Sequence, residues 1–296
     1  MVQRPDAILI AGPTASGKSK LAIEEALRWD GEIVNTDSMQ IYPVLDILTA
    51  RPGAEDLAIV PHHLYGTAAL DEPYSVARWM EDASEVAQQI WSRGKVPVFV
   101  GGTGLYFRGL ESGLAATPEI PVKVREKIRA DLLELGSEEL HRQLAEIDPS
   151  GAANLRPSDS HRIARALEVI RGTNRPLSHY QNQPHSTPLL AGKSCQKIVL
   201  MPPRNVLHNR INMRTEWMIE QGAVAEVEAL LALELPADAT VLKAIGVRQL
   251  GSYLHGKQTL KQATEQVKAA TRQYAKRQST WFNGQFDENW SFRDIA

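Results

Sequence analysis

Cysteine is nearly absent: Cys195 is the only one in 296 residues. That excludes an internal disulfide and any multi-thiolate zinc centre. Long apolar runs are missing as well. The longest near the start, Ala7–Ala11, is far too short to cross a bilayer and has no small-residue cleavage site after it. A cytoplasmic protein without membrane contact is expected. Neither sign of charge is in excess, the net value being −2. This neither predicts nor excludes a nucleic-acid partner, because basic patches can be local. No internal repeat or low-complexity tract occurs. What remains is ordinary for a globular chain, with 43% hydrophobic and 23% charged residues. Its length suits about two domains. Cys195 lies beside an expected strand, where a packing role is expected.

The first hundred residues alternate strand and helix. Residues 6–11 read as a buried strand, 18–28 as a helix and 32–36 as a second strand. Ser75 suits an N-cap. After it Val76, Trp79, Met80, Ala83, Val86, Ala87, Ile90 and Trp91 keep helical spacing up to about Arg93. Gly94 fits the stop, and residues 96–100 form another unbroken apolar strand. Continuous β-branched strands separated by helices predict an α/β fold with a parallel sheet covered on both faces. The pattern changes near Ala115. Thr117-Pro118-Glu119-Ile120-Pro121 reads as a linker. Residues 122–171 read as helices broken at Gly136 and around 149–157, and residues 172–193 as a polar, proline-containing stretch. Residues 196–201 are a further strand, and 205–282 are mostly helical. The expected organisation is a P-loop α/β core begun by residues 1–116, a helical insertion over 117–193, and core completion with C-terminal helices over 194–296.

Gly12-Pro13-Thr14-Ala15-Ser16-Gly17-Lys18-Ser19 match the Walker A pattern in full, between a strand and a helix. Glycine lets such a loop curl until its N–H groups point at phosphate oxygens, and the following helix N-terminus adds partial positive charge. Lys18 supplies a full charge and Ser19 a hydroxyl for Mg²⁺. The loop suits a nucleoside triphosphate or any diphosphate. Asp37 follows the second strand, at the sheet edge where open α/β folds place ligands. It could coordinate Mg²⁺, act as a base, or simply form a turn.

The Walker A octet, Asp37-Ser38-x-Gln40-x-Tyr42 and Gly101-Gly102-Thr103-Gly104-Leu105-Tyr106 together resemble the bacterial tRNA dimethylallyltransferase (tRNA isopentenyltransferase) family. Pro61-His62-His63-Leu64, Arg165-Ala166-Leu167-Glu168-Val169 and Thr271-Arg272-Gln273-Tyr274-Ala275-Lys276-Arg277-Gln278 follow in the same order. The resemblance covers nearly the whole chain. It implies transfer of a dimethylallyl group from dimethylallyl diphosphate to the exocyclic amine of the adenine 3′ of a tRNA anticodon, with Mg²⁺; a monomer is expected. Two positions depart from the pattern. Leu48 stands where the family has glycine in an Asp-Ile-Gly-Thr-Ala-Lys-Pro run, so the loop must bend differently if that glycine needs positive φ. Asn283 stands where the family often has arginine, which implies one phosphate contact fewer.

The resemblance also distributes roles. Asp37 would take or orient the amine proton. Thr103 would bond the bridging oxygen of the diphosphate, although a turn between glycines would also explain it. Lys18 and the loop amides would hold the terminal phosphate. Arg214 would join them, with Arg210 one helical turn before it. Arg214 falls inside the apolar stripe Leu207, Ile211, Met218, and such an arginine needs an anionic partner; a salt bridge to a core carboxylate is the alternative. On the acceptor side Ser38, Met39 and Gln40 would meet the target base, Gln40 through a bidentate contact, with Met39 and Tyr42 either flanking it or packed in the core. The tRNA anticodon stem-loop would run over Arg125, the segment His161, Arg162, Ile163, Ala164 and Arg165, then Lys243, Arg248, Arg272, Lys276 and Arg277. Trp281 and Phe282 suit the core better than base stacking. His62 and His63 are adjacent rather than one turn apart, which argues against a metal. A P-loop kinase and an RNA-binding ATPase are the competing readings.

Overall fold

A computed structural model describes residues 3–72, 74–115, 118–183 and 186–294; Thr117 of the expected linker lies outside them. The chain forms two compact units: Met1–Glu111 with Leu189–Ala296, and Ser112–Pro188.

The first unit is built on β1 (Ala7–Ala11), a strand buried at every position. Strand periodicity sends Ile8 and Ile10 to one face and Ala7, Leu9 and Ala11 to the other. The first face packs on Ala22 and Ala26 of α1 (Lys18–Trp29). Strand β2 (Gly31–Asn35) follows, then the short helices α2 (Asp46–Thr49) and α3 (Ala54–Ile59) and a two-residue strand β3 (His62–His63). Helix α4 (Val76–Ser92) begins where expected, Ser75 accepting the Arg78 N–H, and buries Trp79, Ala83, Ala87 and Ile90 against the second face. Strand β4 (Val96–Gly101) and helix α5 (Gly104–Ser112) complete this half.

The second unit contains α6 (Val122–Ile147), α7 (Pro149–Ala153), α8 (Ser160–Thr173) and α9 (Leu177–Gln181). Gly136, at φ +81 and ψ 170, breaks the helical path of α6. Asp148 caps α7 on the Gly151 N–H, and Asp159 caps α8 on Arg162. Ile128, Leu140 and Leu144 of α6 meet Ile163 and Leu167 of α8 in a separate core. The stretch read as merely polar carries α9.

The chain then re-enters the sheet through β5 (Cys195–Leu200) and continues as α10 (Arg204–Glu220), α11 (Ala223–Leu231), α12 (Val247–Leu254), α13 (Leu260–Gln285) and β6 (Ser291–Arg293). Nothing in the local pattern had marked β6 or β3. Strand order is β3-β2-β4-β1-β5-β6, and every pairing is parallel. All C-terminal strand ends therefore share one edge. Because β4 lies between β1 and β2, the turn after β4 stands between the loops that follow its neighbours. Cys195 is partly buried in β5, and burial pushes its thiol up to about 11, so it stays protonated at neutral pH. Among the described residues no helix is long and apolar enough to cross a membrane.

Candidate active site

The loop between β1 and α1 is curled as phosphate-binding loops are. Ala15 and Gly17 take positive φ, +64 and +93, and alternation of backbone hand turns successive N–H groups to one side. Holding a non-glycine residue this way costs about 1–3 kcal/mol, strain that the surrounding structure must hold. No side chain caps the start of α1, so its first N–H groups are left for an anion. The Ser16 hydroxyl is buried without a partner. Lys18 Nζ donates to the Pro13 carbonyl at 3.3 Å. Desolvation lowers its pKa to about 8, with Asp37 raising it and Arg214 lowering it further. Ser19 is exposed on the first turn of α1.

The three strand-end loops converge. Asn35, fully buried, donates to the Asp37 and Leu64 carbonyls at 3.0 and 2.9 Å and accepts the Asp37 N–H at 2.8 Å. Asp37 Oδ1 accepts the Met39 N–H at 3.0 Å. The turn-forming role is thus real, and it occupies one carboxylate oxygen while the residue still lines the cavity. Thr103 Oγ1 accepts the Ser38 N–H at 3.0 Å, which leaves the hydroxyl hydrogen to donate elsewhere. Helix α10 brings two cations to the phosphate loop. Arg210 donates to the Ser16 carbonyl at 3.5 Å, and Arg214 to Thr14 Oγ1. Among the described residues no carboxylate lies in ion-pair contact with Arg214; burial weakens its hold on its proton and the charge of Asp37 opposes that. The core salt bridge considered for it is not formed.

Around these groups lies a cavity of about 280 Å³, lined by Thr14, Asp37, Ser38, Met39, Leu48, Thr49, Arg214, Lys243, Ala244, Ile245, Thr271, Tyr274 and Arg277. Sequence reasoning had not singled out Tyr274 or Ile245 as lining residues. Nor had it given a role to Gln278 on α13, which is buried. Its Oε1 accepts the Thr14 N–H and its Nε2 donates to the Gly102 carbonyl, both at 2.9 Å. It ties the phosphate loop to the turn carrying Thr103. A Cβ on Gly102 would overlap Gln278 Nε2, so glycine is required there for close approach. Spacing cannot reveal such a strap, because its partners are 264 and 176 residues away. Burial of an amide on an otherwise apolar helix face is the only local signal.

Several expected acceptor contacts are redistributed. Gln40 Nε2 donates to the Thr49 and Ala50 carbonyls, both at 2.9 Å. Its amide hydrogens are therefore committed to the adjacent loop. Tyr42 is core, whereas Met39 lines the cavity. Ile163 and Ala164 are buried in the core of the helical unit, so their side chains cannot touch RNA; the exposed members of that segment are His161 and Arg162. Arg162 pairs with Asp159 at 3.6 Å, and Arg165 with Glu168 at 3.3 Å. Arg125 is half-buried at the start of α6. The three basic residues of α13 part company. Arg272 donates to Asn212 Oδ1 at 2.6 Å, Lys276 is exposed, and Arg277 lines the cavity with its guanidinium 5.7 Å from the Tyr274 ring centre. Lys243 and Arg248 are exposed on either side of Gly246. Asn283 is exposed, Phe282 is fully buried and Trp281 is partly buried.

Leu48 lies within α2 and has no positive φ; the left-handed residue is Ala50, at +53. The leucine is accommodated without backbone strain. His63 bonds Glu32 at 2.7 Å and His62 the Val60 carbonyl at 2.8 Å. Among the described residues no cluster of three His, Cys, Asp or Glu could hold a metal. An open groove on the helical unit, lined by Gln143, Glu146, Ile147, Ile170, Arg171 and Asn174, has no phosphate-binding loop.

The IPP transferase family model matches residues 40–285. The chain is 53% identical to a tRNA dimethylallyltransferase of Chelativorans sp. (strain BNC1), over 98% of this chain and 99% of that one. It is 51% identical to another from Rhizobium johnstonii, over 96% of each. Among solved structures, the tRNA isopentenylpyrophosphate transferase of Bacillus halodurans superposes with a TM-score of 0.69 at 34% identity, covering 98% of this chain and 90% of that one. A eukaryotic dimethylallyltransferase acting on tRNA gives 0.74 at 29% identity, over 93% and 69%. The family match begins after Asp37, whereas the similarity to the full-length relatives spans 96–98% of this chain. The chain belongs to the IPP transferase family, among the tRNA dimethylallyltransferases.

Proposed function

We propose that the chain transfers the dimethylallyl group of dimethylallyl diphosphate to N6 of the adenine 3′ of the anticodon in tRNA. The observation that carries this reading is the convergence of a phosphate-binding loop, the Asp37 carboxylate and the Arg214 guanidinium on one cavity. The adenine amine is a weak nucleophile, because its lone pair is delocalised into the ring. Rate must therefore come from holding it against the allylic carbon and from stabilising the departing diphosphate; positioning alone can contribute roughly 7–11 kcal/mol. As N6 bonds to the allylic C1, the C1–O bond breaks and its electron pair leaves on the bridging oxygen. Thr103 donates to that oxygen. Lys18, Arg214 and the loop amides take up the charge. Asp37 accepts the proton lost from N6.

Mg²⁺ suits the donor set. Ser19 offers a hard hydroxyl oxygen beside the loop, and no further cluster of protein ligands is present among the described residues. An ion there would draw its remaining ligands from diphosphate and water, as Mg²⁺ commonly does. When bound it supplies further neutralisation of the leaving group.

A stacked anticodon-loop base reaches such a cavity only when extruded. Tyr274 and Met39 offer it apolar faces. Lys243, Arg248 and Lys276 on the first unit, and Arg125, His161 and Arg162 on the second, suit the phosphates of an anticodon stem-loop. Turnover with dimethylallyl diphosphate and an anticodon stem-loop RNA, without nucleotide, is expected to give prenylated RNA and diphosphate. ATP-dependent phosphorylation of a metabolite with no prenylated RNA would overturn the reading in favour of a kinase.

The lowered pKa of Lys18 makes donor binding pH-dependent. Its empty-site value is about 8, whereas the last ionisation of a phosphate ester lies near 6. At pH 9 the lysine is mostly neutral, and a bound polyanion restores its proton. Donor binding at pH 9 should take up close to one proton, and affinity should fall about tenfold per pH unit above 8. Calorimetry in buffers of different ionisation enthalpy measures the uptake. Lys18→Arg should abolish it, and equal uptake in that variant would assign the proton elsewhere.

A further inference from the structure

We propose that Gln278 is a positioning residue for the transfer step: it sets the separation between the phosphate loop, which holds the leaving diphosphate, and the turn that carries Thr103 beside Asp37. The inference rests on the reaction assigned above. Gln278 is buried on α13, one helical turn after Tyr274 and next to Arg277, both of which line the cavity. Its Oε1 accepts the Thr14 N–H and its Nε2 donates to the Gly102 carbonyl, so the two ends of one amide serve two different strand-end loops. Thr14 is braced a second time, by Arg214 donating to its hydroxyl. Helix α13 also meets the Thr103 turn at its other glycine. A Cβ on Gly104 would come within 2.2 Å of the Trp281 ring, so indole and backbone are closely packed there. Trp281 follows Gln278 by three residues, which places both on one side of the helix.

Each loop has bonds of its own that keep its shape. The phosphate loop curls through positive φ at Ala15 and Gly17, and the Ser16 N–H donates to the Pro13 carbonyl at 3.2 Å. The Thr103 turn is fixed to the loop after β2, its N–H donating to the Thr36 carbonyl at 3.1 Å and its Oγ1 accepting the Ser38 N–H at 3.0 Å. What the Gln278 amide adds is the distance between the two. The transfer step depends on that distance. One loop holds the diphosphate, whereas the groups that meet its bridging oxygen and the adenine amine stand on the other, and a misplacement of about 1 Å can cost about 10²-fold in rate. A primary amide suits the task because it carries a donor and an acceptor on one planar group.

The test uses the full chain with dimethylallyl diphosphate and a stem-loop RNA. Gln278→Met keeps the length of the side chain but breaks both bonds. It should lower kcat by about 10–100-fold, while donor KM and affinity for inorganic pyrophosphate change by no more than about threefold, the pattern of a group that matters in the transition state. A fall in pyrophosphate affinity and Tm in step with kcat would mean that Gln278 only builds the phosphate loop, and an unchanged kcat would remove it from the reaction; either result overturns the proposal. Gly102→Ala attacks the same bond from the opposite side. Its Cβ would come within 2.2 Å of Gln278 Nε2 and displace the amide, while Asp37 Oδ2, at 3.5 Å, stays in ordinary contact. This variant should lose kcat to a similar extent, and in the double variant the two losses should not multiply, because each removes one shared interaction. Losses that multiply overturn the proposal. A wild-type chain that makes no prenylated RNA from this donor overturns the reaction assignment itself, and the role of Gln278 with it.

Discussion

Asp37→Asn is expected to lower kcat by roughly 10²–10⁴-fold, the usual range for removing a positioned general base, while donor KM and RNA affinity change only a few-fold. The variant is chosen because it spares the turn. The asparagine oxygen can still accept the Met39 N–H that Asp37 Oδ1 now accepts at 3.0 Å, and Asn35 continues to hold the backbone on both sides of the residue. What disappears is the second carboxylate oxygen and its charge. That charge currently raises the pKa of Lys18. Its loss should therefore also move the alkaline limit of donor binding downward in pH, a side effect separable from the chemical step by single-turnover measurement at saturating donor. An unchanged single-turnover rate would remove Asp37 from the role of base and leave it only the turn.

The second large effect is expected at α10. Arg214→Met should reduce kcat by about 10²–10³-fold, as for loss of one well-placed electrostatic donor, and should weaken inorganic pyrophosphate binding. Methionine fits the apolar stripe of Leu207, Ile211 and Met218 in which Arg214 stands. Thermal stability should hold or rise, because a desolvated cation without a carboxylate partner is removed from the fold. The opposite pattern, a lowered Tm with pyrophosphate affinity intact, would mean that the guanidinium serves the fold rather than the leaving group.

The parts of the site that could be read in advance are those whose chemistry is local. The Walker A octet carries its own strand, turn and helix start. The apolar spacing of α4 and the Ser75 cap mark that helix within a residue or so. Arg214 was conspicuous because it interrupts a stripe. Residue type alone does not tell which way a side chain turns. The resemblance implies a base contact for Gln40, whose amide hydrogens go to the Thr49 and Ala50 carbonyls in the folded chain. Ile163 and Ala164 were swept into a basic segment whose helical period turns them inward. Arg277 was grouped with Arg272 and Lys276 on one helix, yet the three face Tyr274, Asn212 and solvent respectively.

From its sequence alone this protein is determined to be an α/β chain with a phosphate loop, a helical interruption and an acid after its second strand, since these follow from backbone propensities and side-chain periods that act over a few residues. Only the tertiary structure decides that β4 lies between β1 and β2, that Gln278 ties Thr14 to Gly102, and that Leu48 and Arg214 line one cavity. Lateral strand order and long-range straps depend on how crossovers close and which buried polar groups find one another, and no short-range pattern encodes either.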